Sequence, residues 1–272
     1  MIAASQVSGK IRRIRLRPIA LPAEHGGWGL LFEPIVLGLL LAPSLAGLLL
    51  SVAATGAFLA RHPFKLAIGD WRRNRNSRRS VLARRFAVLY FVIATLALAL
   101  AIKIGGGGLL LPLILAAPIV LIQLFYDSLG RSRALVAELA GSISTGALAT
   151  AIALAGNWPR PAAFGLWAIL VLRNVPTILY LRAQLRLLRH KPASTLIAIV
   201  AHIVAILIVI VLAWASVVPF LAVAAVVILF LRSLIGFLRF DREVTAKKLG
   251  LRELCFGAIT VFIVVLGHFM GW

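Results

Sequence analysis

The feature that most constrains this chain is a succession of uncharged apolar runs, each near the length needed to cross a bilayer. They cover residues 34–60, 86–102, 104–126, 139–159, 192–231 and 254–272, and a further run, 161–181, is broken only by Arg173. A spanning helix needs about 20 apolar residues. The 192–231 stretch would make about 60 Å of helix against a hydrocarbon core of about 30 Å, so it must turn once, near Trp214–Pro219. The 26–60 stretch must also turn, with Pro43 and Gly47 as markers. Nine spans result: 27–42, 44–60, 85–102, 108–126, 136–156, 162–181, 194–214, 217–236 and 252–271. With 62% hydrophobic and 14% charged residues, a water-soluble enzyme, a disordered chain and a coiled coil are excluded. Cys255 is the single cysteine, which excludes a disulfide scaffold.

Charge sets the expected topology. Lys and Arg number 29 against 8 acids. In a soluble protein that excess would suggest nucleic acid. Here the cations sit in segments between apolar runs, so the positive-inside rule reads them and no nucleic-acid partner is expected. The segments up to Pro18, 61–85, 127–135, 173–192 and 232–252 together hold 27 of the 29. In a nine-span chain that starts inside, all five fall on one side, and Lys103 and Arg160 alone face the other. An eight-span chain would split the basic N-terminus from the 61–85 segment. The expectation is therefore an all-α, polytopic protein of the bacterial cytoplasmic (inner) membrane, N-terminus cytoplasmic and C-terminus outside. Residues 1–22 form a basic cytoplasmic tail and 23–272 a single transmembrane domain. Lys10–Arg17 resembles a signal-peptide n-region, but no small-residue cleavage site follows a short apolar stretch, so it reads as retained. The glycines 105–108 mark an outer turn.

Ionisable groups inside spans are costly and are functional candidates by default. Pro22-Ala-Glu-His-Gly-Gly-Trp-Gly29 packs Glu24, His25, three glycines and Trp28 into six positions just before the first span. Glu24 and His25 can move protons, and Trp28 suits either an interfacial anchor or a ligand wall. Glu33 lies about one turn inside the first span, followed by Pro34, and at that depth needs a partner. In the 61–85 segment most arginines read as topology and attraction to anionic headgroups. Lys65, Asp70 and Arg72 sit near a span end and are ligand-binding candidates. Tyr126 and Asp127 close the fourth span, and Gln123 shares a helix face with Asp127. Glu138, Ser142 and Thr145 share a face of the fifth span. Arg173, Thr177 and Tyr180 share one of the sixth, beside Asn174 and Pro176. Arg173 near the bilayer centre costs roughly 2.5–3.5 kcal/mol unless paired or hydrated. Glu33, Asp127 and Glu138 are its available partners, and Arg182 follows at the helix end. His202 and His268 are isolated and read as structural. No metal-ligand spacing, phosphate loop or nucleophile elbow is present.

Two resemblances follow from these residues. Glu24-His-Gly-Gly-Trp-Gly29, flanked by Pro22 and Pro34, with Arg61-His-Pro-Phe-Lys65 and Arg173-Asn-Val-Pro-Thr-Ile-Leu-Tyr180-Leu-Arg182, resembles the YwiC-like family of bacterial membrane proteins over most of the chain. That resemblance implies a membrane protein and no particular reaction. Nine helices with the largest polar segments after spans two and six are similar, more weakly, to the UbiA-type intramembrane prenyltransferases. Those hold magnesium and a prenyl diphosphate on aspartate-rich loops. Here the corresponding segments offer Asp70 alone and, in 182–192, no acid, so the loops do not support magnesium. The expected partners are anionic membrane lipids and an amphipathic small molecule. The expectation is a UbiA-like bundle with a cytoplasm-facing polar cavity for an isoprenoid diphosphate, quinone precursor or lipid phosphate. Lys65, Arg72, Arg173 and Arg182 would hold its anion; Glu24, His25 and Asp127 would serve any proton transfer. A secondary transporter or flippase, and an accessory subunit of a membrane complex, are the rival readings.

Overall fold

The computed structural model describes residues 16–21, 25–74, 77–239 and 244–271, without the side chains of residues 25 and 26. The helices are α1 (Arg17–Ala20), α2 (His25–Leu41), α3 (Leu45–Arg72), α4 (Arg78–Gly105), α5 (Leu110–Ser128), α6 (Leu135–Ala155), α7 (Arg160–Leu188), α8 (Thr195–Trp214), α9 (Leu221–Leu238) and α10 (Ala246–Met270). No strand occurs among the described residues. Eight helical stretches, α3 to α10, are long and apolar enough to cross a membrane, and α2 contributes a shorter apolar stretch, Gly27–Leu41. This is a multi-pass membrane protein.

The chain divides into two compact units, residues 1–23 with 56–93 and residues 24–55 with 94–272. In the first, the charged segment after the second apolar run is mostly helix. It belongs to α3 and α4, each 28 residues or roughly 42 Å, longer than the spans 44–60 and 85–102. Arg, Lys and Ala are good helix formers, so the helix continues where the apolar run stops. The turn between them is tied by Ser80, whose hydroxyl donates to Asp70 Oδ2 at 2.6 Å. His62 Nε2 donates to the Pro18 carbonyl at 3.0 Å and holds α1 to α3.

In the second unit α2, α6, α7, α8, α9 and α10 pack neighbour to neighbour into a closed ring, and α5 lies against α6. Short connections make sequential neighbours antiparallel; α2 runs parallel to both α6 and α10, as the contacts Gly29–Leu254 and Gly38–Ile152 require. α6 is the most deeply buried of the long helices, and its sequence explains why. Gly, Ala, Ser and Thr let neighbouring backbones approach without a large hydrophobic drive, which lipid does not supply. A Cβ on Gly146 would stand 2.9 Å from Trp167. Trp167 Nε1 donates to the Ile143 carbonyl at 2.7 Å and Thr150 Oγ1 to the Ala163 carbonyl at 2.8 Å, fastening α6 to α7. The outward faces of α5 and α8 are apolar, with Ile114, Leu121, Leu196 and Val211 exposed, as lipid contact demands.

The turns near Trp214–Pro219 and Gly105–Gly108 stand where the sequence places them. Gly47 does not turn the chain. The break is at residues 42–44, and Gly47 lies inside α3, where a Cβ would meet Ile152 Cγ2 at 2.9 Å. The glycine is there for close packing, a demand the sequence alone does not distinguish from a turn.

Candidate functional site

The site lies inside the ring of the second unit. Arg173 of α7 is 5% exposed and its Nη1 donates to Glu33 Oε2 of α2 at 2.6 Å; Glu33 is 9% exposed. Nη1 also donates to Asn174 Oδ1 at 2.5 Å, and Nη2 reaches the backbone carbonyl of Glu253 at 3.3 Å. A second pair stands beside it. Arg232 of α9 donates through Nη1 to Glu253 Oε1 of α10 at 2.5 Å and through Nη2 to Thr177 Oγ1 at 3.2 Å. The Arg232 guanidinium lies 4.3 Å from the Tyr180 ring centroid and 5.3 Å from that of Phe256, within cation–π range. Glu253 links the pairs, giving its side chain to one arginine and its carbonyl to the other.

Local sequence builds this geometry. Residues 173, 177, 180 and 184 follow a helical face. Gln184 extends that face, its Nε2 donating to the Gly236 carbonyl at 2.6 Å. Two glycines make room. A Cβ on Gly257 would sit 2.9 Å from Arg173 Nη2 and 3.2 Å from Glu33 Oε2, and one on Gly236 would collide with the Tyr180 hydroxyl. The two pairs sum to zero charge. Their hydrogen bonding is incomplete: Glu33 Oε1, Glu253 Oε2, Arg173 Nε and Arg232 Nε have no partner among the described residues. A buried polar atom without a partner costs about 1–3 kcal/mol, more when it belongs to a charged group. Replacing a buried ion pair by apolar side chains is often neutral or stabilising. Stability alone is therefore a poor reason to keep four charges here.

Of the residues singled out from the sequence, Glu33, Arg173, Asn174, Thr177 and Tyr180 come together. Among the three candidate partners of Arg173, Glu33 takes the role. Glu138 is engaged by Arg182, whose Nη1 lies 2.7 Å from Glu138 Oε2 and 3.0 Å from the Arg133 carbonyl; that pair is 37% and 36% exposed. Asp127 is buried in the last turn of α5, and Tyr126 packs edge-on against Phe125. Trp28 stacks on Phe32 at 5.8 Å, one turn before Glu33. Lys65, Asp70 and Arg72 belong to the first unit, where Lys65 and Arg72 are exposed and Asp70 accepts from Ser80. Glu24 and the His25 side chain lie outside the described residues. His202 is buried with Nδ1 2.7 Å from the Ala198 carbonyl, a structural contact. No group of three His, Cys, Asp or Glu that could hold a metal ion occurs among the described residues.

Arg232 and Glu253 are the residues that sequence reasoning missed. Both stood at the edges of a segment read as a basic loop. The signal was present, because Arg232 falls inside the span 217–236 and Glu253 inside 252–271, where any charge is costly.

No curated protein and no solved structure matches the chain. The model of one family does, over residues 21–153, just under half the chain. That stretch contains the Glu24–Gly29 and Arg61–Lys65 motifs and ends before the Arg173–Arg182 motif. Over residues 21–153 the chain is similar to the YwiC-like proteins.

Proposed function

We propose that this protein crosses the bacterial cytoplasmic membrane nine times, N-terminus inside, and binds an amphipathic anionic molecule at the Arg173–Glu33 and Arg232–Glu253 cluster. One observation carries the reading: two buried ion pairs contributed by four helices, each leaving a carboxylate oxygen and an arginine Nε without a partner among the described residues. Nε and one Nη form the guanidinium edge that grips a carboxylate or phosphate with two parallel bonds. Glu33 holds Arg173 through Nη1, so an anionic headgroup would compete with it for the charge of the same guanidinium. The apolar tail would lie among the ring helices or in lipid.

Within the classes that the sequence suggests, the charge balance favours a singly charged head, on a lipid phosphate or a carboxylated quinone precursor. A diphosphate would bring excess negative charge to a site that already holds two carboxylates. Reversible exchange of a ligand for Glu33 is a step that a carrier or flippase needs, so the geometry supports binding and exchange over metal-dependent transfer. A second reading, an accessory subunit of a membrane complex, draws on the same pairing, since internally matched charges need no ligand. The four unpartnered atoms favour the first.

The test is mass spectrometry of small molecules retained through extensive detergent washing, wild type beside Arg173→Gln. An amphipathic anion retained by the wild type and lost in the variant supports the site. Bulk phospholipid alone, equal in both, overturns it in favour of the accessory reading.

A further inference from the structure

The ionic balance of this cluster has a consequence for how an anion enters it, and this inference rests on the ligand-binding reading above. The quartet of Glu33, Arg173, Arg232 and Glu253 is neutral and buried. Adding one negative charge would leave an uncompensated charge in an apolar interior, which is far costlier than neutralising a group. The groups around Glu33 limit the ways to restore balance. α7 presents Arg173, already charged, and α10 presents Glu253, held by Arg232. α6 carries a single ionisable residue, Glu138, and Arg182 holds it. Glu33 itself has an oxygen, Oε1, without a partner among the described residues.

We infer that the site takes up its anion together with one proton, which Glu33 accepts as it releases Arg173. An O–H bond forms at Oε1 with a proton drawn from the aqueous phase. No other bond is made or broken apart from hydrogen bonds. Arg173 stays in place during the exchange, because Asn174 Oδ1 and the Glu253 carbonyl still hold it. Arg232 is braced by Glu253, Thr177 and two aromatic rings, so its pair is the fixed half of the cluster and Arg173–Glu33 the exchanging half.

The probe is decyl sulfonate below its micelle concentration, an amphiphile that stays ionised across the pH range, so all proton uptake belongs to the protein. Its binding to the full chain in mild detergent is followed by titration calorimetry in two buffers of different ionisation enthalpy. The wild type should take up one proton per bound sulfonate, and Kd should rise tenfold per pH unit once Glu33 must be protonated by binding. Glu33→Gln should bind with no proton uptake and a Kd independent of pH. Binding without proton uptake in the wild type overturns the coupling and leaves the site intact. Proton uptake that persists in Glu33→Gln overturns the assignment to Glu33. No binding to the wild type, or binding unchanged in Arg173→Gln, overturns the anion site itself. The wild-type measurement alone decides the coupling if Glu33→Gln does not fold.

Discussion

Replacing Arg173 by Met and Glu33 by Leu, singly and together, separates the ion pair from its surroundings. The two side chains meet at 2.6 Å with 5% and 9% exposure, so either single change leaves the other charge buried and uncompensated. Each single variant should lose about 3–5 kcal/mol. In the double variant no charge is stranded. What it strands is the buried Asn174 Oδ1, at about 1–3 kcal/mol, since the Glu253 carbonyl retains its helical partner. The double variant should therefore sit within about 3 kcal/mol of wild type, against about 6–10 kcal/mol for the summed singles. The coupling is then at least about 3 kcal/mol. The assay is denaturant unfolding of all four proteins in one detergent. Additive losses, with coupling below about 1 kcal/mol, would refute the pairing. The double variant should also have lost the retained ligand while keeping its fold, which separates the role of the pair in binding from its role in stability.

Gly257→Ala should destabilise by about 1–3 kcal/mol by pushing a methyl group between Arg173 and Glu33, whereas Gly250→Ala on the same helix, with open space around it, should be neutral or slightly stabilising; equal effects in thermal unfolding would argue against the close approach. Arg182→Ala removes a half-exposed pair and should cost no more than about 1 kcal/mol by the same denaturant titration. Ser80→Ala removes a hydrogen bond to a carboxylate worth about 1.5–3 kcal/mol, and hydrogen exchange should quicken around residues 70–80 while the α6–α7 contact stays protected. In a Cys255→Ser background, Arg131→Cys should resist an impermeant maleimide added to intact cells and Asn157→Cys should react; the reverse pattern would overturn the orientation.

The run lengths alone determined that this is a multi-pass helical protein, because every backbone polar group in hydrocarbon must be satisfied within its own helix. The same logic located the turns at 105–108 and near Trp214–Pro219 and flagged Glu33, Arg173, Asn174, Thr177 and Tyr180. A charge in a span is costly whatever it faces, so it stands out before any fold is known. Tertiary structure decided the partners. Nothing in the spacing selects Glu33 over Asp127 or Glu138 for Arg173, since those residues lie on different helices and the order of helices around the ring is not periodic in the chain. It also decided that the cluster holds two pairs, since Arg232 and Glu253 become a pair only when α9 and α10 lie side by side. Gly47 and Gly257 belong to the same class: a glycine reads alike in a turn, a crossing or a gap beside a guanidinium. Local sequence fixes the energy of a residue relative to its own helix or to lipid, whereas the cost of a charge or of a missing side chain depends on which neighbour stands a few ångströms away.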